Sequence, residues 1–291
     1  MSAMWRELFC LVAFAAILYV PSTGLAGPSQ LGSAQDFAVL GASTVTNTGS
    51  TTIYGSLGVD PGSAITGFPP GVVTGGSIYG SGGVSNLAQS DALTAYNTLK
   101  LLPYDYDYTG LELGGRTLTP GVYSFGTTAG LNGALTLDFA TNPGGDFVFQ
   151  IGTALTTGSG SSVSVINGSQ LSGVYWLMGV TGGSGTGSAT LGTSTMFAGN
   201  ILALDSITLN TTADILCGRA IALNGAVTMD TNRISNNNTA EDFDSGRSDF
   251  GSYGFSGGSD TPVIPAPGAF LLVAIGTASL SVFRKRTSIL K

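Results

Sequence analysis

Between Leu31 and Ile234, apolar and polar residues alternate in short runs punctuated by Gly, Asn and Ser. The alternation is clearest in Ser43-Thr44-Val45-Thr46, Ser162-Val163-Ser164-Val165 and Ser206-Ile207-Thr208-Leu209. A period of two sends Val163 and Val165 to one side of a strand and Ser162 and Ser164 to the other. One segment breaks the pattern. Residues 85–102 contain no Gly or Pro, and Ala88, Ala92, Ala95, Leu99 and Leu102 recur at helical spacing. The spacing predicts one amphipathic helix, with Ser85 as its N-cap and Pro103 as its stop. In a β chain its small-residue face must lie against a flat neighbour.

The strands also repeat. The run from Phe197 to Leu204 is echoed nineteen residues later from Leu216 to Leu223. After each comes a second strand, Ile207 to Asn210 and Val227 to Asp230. Far upstream, Leu131 to Asp138 is nearly the phrase Leu223 to Asp230. Repeats of about twenty residues predict the stacked coils of a β-helix. A β-sandwich would explain the strand spacing but not the nineteen-residue echo.

Both ends of the chain read as addresses. Residues 1–26 carry an apolar run, Leu8 to Val20, with Gly24 and Ala26 placed for a cut before Gly27, the pattern of a secretory signal peptide. Residues 235–261 are rich in Asn, Ser, Gly and Asp without a periodic apolar face, which predicts a flexible linker. In residues 262–291, Pro265-Ala266-Pro267 precedes an apolar stretch from Ala269 to Phe283 and the basic cluster Arg284, Lys285 and Arg286. These residues resemble a PEP-CTERM sorting segment. That resemblance implies a sorting protease at the membrane; the plain physical reading is a C-terminal anchor stopped by its positive charge. Either places the protein outside the cytoplasm, secreted or at the cell surface.

Composition then narrows the function. Charged residues are 9% of the 291, histidine is absent and the net charge is −7. Residues 27–234 hold eleven acids against four bases, Lys100, Arg116, Arg219 and Arg233. This disfavours nucleic acid, which needs a basic stripe. Without His, and with Cys217 as the one cysteine outside the leader, no metal site and no cofactor is expected. Cys217 reads as a small buried hydrophobe. Asp138, Asp205, Asp214 and Asp230 lie near strand ends, where Asp caps turns, and their spacing marks no enzyme site.

The order of phrases along 27–234 resembles the ice-binding-like family. They are Leu31-Gly32-Ser33-Ala34, Phe37-Ala38-Val39-Leu40, Ser43-Thr44-Val45-Thr46-Asn47-Thr48-Gly49 and Gly55-Ser56-Leu57-Gly58-Val59. Then follow Thr66-Gly67-Phe68-Pro69-Pro70-Gly71, Ala95-Tyr96-Asn97 and Leu118-Thr119-Pro120-Gly121-Val122-Tyr123. Phe147-Val148-Phe149-Gln150-Ile151-Gly152 and Gly199-Asn200-Ile201-Leu202-Ala203 complete the run. The resemblance implies an irregular right-handed parallel β-helix, triangular in section, with one long helix alongside. It also implies non-catalytic binding of ice by a monomer through one flat face.

Such a face needs small hydroxyl and methyl groups on a rigid frame, and Thr supplies both on a stiff χ1. The candidates are Thr153, Thr156, Ser162, Ser164, Ala189, Thr193, Thr195, Thr208, Thr211, Ala213 and Thr228. Thr153, Thr193, Thr195, Thr211 and Ala213 are expected nearest a common face. Gly179 to Gly187 reads as an insertion between coils that would block contact if it lay beside that face. The alternative is an extracellular matrix or adhesion module binding polysaccharide or another surface, with Tyr104, Tyr106 and Tyr108 stacking on sugars and Asp105 and Asp107 binding their hydroxyls.

Overall fold

The alternation closes into three-sided coils. Gly121–Phe125, Ala129–Leu131 and Ala134–Asp138 complete one circuit, and the chain returns as Asp146–Ile151, paired in parallel with Gly121–Phe125. The computed structural model describes residues 30–181, 187–236 and 248–257. Residues 1–26, 262–291 and most of 235–261 therefore lie outside the described residues. Among the described residues, no helix is long and apolar enough to cross a membrane.

Apolar side chains that point inward build a continuous core, including Phe125, Leu135, Phe149, Val163, Trp176, Phe197 and Val227. Rings from successive coils stack along it: Tyr123 on Phe149 at 5.3 Å between centroids, and Phe149 on Trp176 at 3.8 Å. Stacked pairs add about 0.5–1.5 kcal/mol each beyond their buried area.

The order of coils is not the order of the chain. On one face seven strands run Ala129–Leu131, Leu155–Thr157, Ala189–Leu191, Ile207–Leu209, Val227–Met229, Thr44–Asn47 and Ala64–Thr66. The first coils of the sequence are thus laid beyond the last. The helix, Gly83–Leu99, makes this possible. Its 17 residues span about 25 Å, close to five coil steps of about 4.8 Å. It starts near Ser56–Val59, passes Ala222, whose carbonyl accepts from Gln89 Nε2, then Met178, whose carbonyl accepts from the Tyr96 hydroxyl. It ends where Gln150 Nε2 donates to the Leu99 and Leu102 carbonyls.

Ala88, Ala92, Ala95, Tyr96 and Leu99 are buried against Leu40, Val148, Tyr175, Leu177, Leu202 and Ile221. The face read from the alanine spacing is the one that packs. Its ends differ from expectation. The helix begins at Gly83 because Asp60 takes the Gly82 N–H and the Asn86 amide. Ser85 is therefore not the cap; it is buried in the first turn and donates to the Tyr79 carbonyl. Leu102 lies past the end and is exposed.

The nineteen-residue echo is a coil-to-coil pairing: Gly199 faces Gly218, and Ile201 faces Ala220. A register shift just before these pairs places buried Cys217 at a bulge with φ 59°.

The linker reading of 235–261 needs correction for 248–257, which is a docked strap. The Phe255 ring is buried, and its carbonyl accepts from Val174 N and Asn200 Nδ2. Arg219 explains the docking. Its guanidinium is fully buried and donates to the carbonyls of Gln35, Tyr253 and Gly254 and to Asn200 Oδ1. Desolvation pushes its pKa down to about 10, so it stays charged at neutral pH. A buried charge needs all its donors met, and two of those acceptors belong to the strap. The strap lies along the vertex opposite the seven-stranded face. Other coils turn that vertex through loops at 139–145 and 167–172, whereas Met196–Ala203 and Asp214–Ala222 run straight through it. The strap fills the notch they leave.

Candidate functional site

The helix covers one face of the triangle and the strap lies over the vertex beside the second. Among the described residues, nothing covers the seven-stranded face, called the open face below. Its register brings Gly130, Thr156, Thr190, Thr208, Thr228, Thr46 and Thr66 into one column. All point outward, because their strand neighbours Leu155, Leu191, Ile207, Leu209, Val227 and Met229 are buried in the core. Six threonines thus stand on consecutive rungs, about 4.8 Å apart, over some 24 Å. Thr46 Oγ1 donates to Thr228 Oγ1 at 3.3 Å, although 182 residues separate them.

Two residues before each of these lies a second outward column: Thr128, Ala154, Ser188, Ser206, Ala226, Thr44 and Ala64. Backbone bonds fix it, with Ala129 N donating to Ala154 O, Leu155 N to Ser188 O, Ala189 N to Ser206 O and Ile207 N to Ala226 O; Thr44 pairs with Ala64. The columns are two residues apart, or about 6.6 Å. None of the residues at their fourteen positions is ionisable. The result is a two-column lattice of methyl and hydroxyl groups on a hydrogen-bonded sheet.

The predicted residues scatter across this frame. Thr156, Thr208 and Thr228 stand in the threonine column. Ala189, Thr195 and Ala213 do not reach any surface. Ala189 and Ala213 sit in the core, and buried Thr195 bonds the Thr157 hydroxyl and the Gly158 carbonyl. Ser162 and Ser164 point out from the face beside the strap. Thr193 and Thr211 are exposed in the turns that leave the open face, and the Thr211 hydroxyl donates to Asp230. Thr153 precedes Leu155–Thr157 at the other edge, bonded through its amide to Thr127. The five residues expected to share a face are therefore not brought together. Sequence reasoning passed over Thr190, Thr46 and Thr66, all signalled by the same apolar–Thr alternation.

The insertion leaves and re-enters at one point. Gly179 and Gly187 lie against each other, and Gly187 N donates to Asp205. That point is the edge next to Ser188; residues 182–186 lie outside the described residues.

The tyrosine cluster closes one end of the coil stack. Tyr106 stacks on Tyr123 at 4.8 Å, and Tyr108 packs edge-on against the same ring. Asp105 accepts from the Val122 amide and Asp107 from the Thr109 amide, so both carboxylates serve the local backbone. Tyr104 is exposed. The other carboxylates serve turns as well: Asp138 accepts from Asn167 and Ala140 N, and Asp214 pairs with Arg233 at 2.8 Å.

Comparison with known proteins adds independent findings. A family model described as ice-binding-like matches residues 39–235. An ice-binding protein of Nostoc sp. (strain HG1) is 53% identical over 229 residues, which is 79% of this chain and 81% of that protein. Ice-binding protein 1 of Shewanella frigidimarina is 32% identical over 240 residues, 72% of this chain and 26% of that longer protein. Among solved structures, an ice-binding protein from an Antarctic biological consortium superposes with a TM-score of 0.65 at 40% identity, covering 73% of this chain and 93% of that one. One from the Antarctic ascomycete Antarctomyces psychrotrophicus gives 0.64 at 36% identity, covering 73% and 100%.

Proposed function

The chain belongs to the ice-binding-like family, and on that premise we propose that it binds ice, without catalysis, through the open face. The observation that carries this reading is the column of six threonines on consecutive rungs, free of charge and uncovered among the described residues. Each offers a hydroxyl to hydrogen-bond water and a methyl to exclude it, at a spacing set by the sheet and not by the side chain. Charges there would hold their own hydration; the columns carry none.

The signal-peptide pattern of 1–26 and the tail 262–291 support an extracellular location, with the C-terminal segment as membrane anchor before processing by a sorting protease. Thermal hysteresis of the purified chain from Gly27 onward, beside its Thr190→Tyr/Thr208→Tyr variant, tests the reading. Two bulky rings at the centre of the lattice should abolish the hysteresis of an active wild type while leaving the far-ultraviolet circular dichroism unchanged. A folded wild type without hysteresis would overturn it.

A further inference from the structure

The docked strap decides where the chain leaves the folded body. Gly257, its last described residue, lies beside the Leu171 carbonyl, the Tyr175 hydroxyl and the Asp146 carboxylate, at the vertex opposite the open face. Three separate contacts hold it there. Gly173 bridges Ser256, the Tyr175 hydroxyl donates to the Ser256 carbonyl at 2.8 Å, and Arg219 holds the carbonyls of Tyr253 and Gly254. Beyond Gly257 the sequence continues to its apolar stretch from Ala269 and its basic cluster Arg284, Lys285 and Arg286.

We propose that residues 248–257 are a mooring: they make the vertex opposite the open face the membrane-proximal side, so that a bilayer holding the C-terminal segment presents the open face to the medium. The inference rests on the anchor reading of that segment and not on ice as the ligand. Chain length supports it. Counted from Asn236, where the coils end, 32 residues precede Ala269 and reach at most about 110 Å. Counted from Gly257 only eleven precede it, with a reach of at most about 37 Å. The strap shortens the leash threefold and moves its root to the far vertex. The exit and the open face then lie on opposite sides of the body.

Reconstitution tests this. The chain from Gly27 onward, which lacks Cys10 and keeps the C-terminal segment, is labelled with a fluorophore at Asn142→Cys, in the exposed vertex loop, or at Thr208→Cys, on the open face; native Cys217 is buried. Each is bound to phosphatidylcholine–phosphatidylglycerol vesicles carrying a headgroup quencher. The Asn142 label should be quenched at least about threefold more than the Thr208 label, and inserting about twenty Gly/Ser residues after Gly257 should bring the two together. Equal or reversed quenching of bound protein would overturn the mooring, as would a bias the insertion leaves intact. Protein that fails to bind the vesicles would overturn the anchor reading beneath it. Neither result bears on hysteresis in solution.

Discussion

The open face and the helix face are two sides of one coil, built on the same parallel backbone. On the helix face the outward positions are Leu40, Val148, Tyr175, Leu177, Leu202 and Ile221, and all are buried under the helix. On the open face the corresponding outward positions are Thr156, Thr190, Thr208, Thr228, Thr46 and Thr66, and none is buried. Inward residues are equally apolar on both. The outward half of the alternation alone decides whether a face is covered or left free. A Leu column must be hidden from water; a Thr column tolerates water and can order it.

If that contrast is right, stability resides on one face and binding on the other. The largest effect comes from the covered side. Leu177→Ala removes a buried outward side chain and should cost about 2–5 kcal/mol in urea unfolding, with the hysteresis of the folded fraction unchanged. Next is Asp146, on the rim of the helix face below the strap, whose pKa burial raises to about 6. The fold there favours the neutral carboxyl, so stability should fall as pH rises from about 4 through about 6. Asp146→Asn should flatten that slope and stabilise the protein at pH 7 by up to about 3 kcal/mol. Hysteresis should stay level over the same range, since the threonine and small-residue columns do not titrate.

Gln150→Ala strips the bonds that close the helix end and should cost about 1 kcal/mol. Smallest is Thr208→Val on the open face, expected within about 0.5 kcal/mol of wild type. A large loss there would break the contrast.

How much of this could be read beforehand depends on register. Inward and outward sides were legible wherever Val, Ile or Leu alternated with Thr or Ser, as at 162–165 and 206–209. The helix face was legible from alanine spacing. The column was not, because a slip of one residue moves a side chain to the other side of the sheet. Ala189 points into the core and its neighbour Thr190 points out. Thr195 and Ala213 lie past the strand ends, where turns bend the chain inward. Thr46 and Thr66 joined the column only because the first coils stack beyond the last, a connection made by the helix and carried by no local pattern. The strap looks like linker in sequence because its hold rests on the buried ring of Phe255 and on backbone carbonyls taken by Arg219, neither of which gives a period.

The central claim is that the threonine column is the contact surface. Single Thr→Tyr substitutions at Thr156, Thr190, Thr208, Thr228 and Thr46, scored for thermal hysteresis beside Thr136→Tyr and Ser164→Tyr on the face next to the strap, test it most directly. The account predicts loss at every column position, deepest at the central rungs, and wild-type hysteresis for Thr136→Tyr and Ser164→Tyr. Full hysteresis in the column variants, or loss confined to the other face, would contradict it.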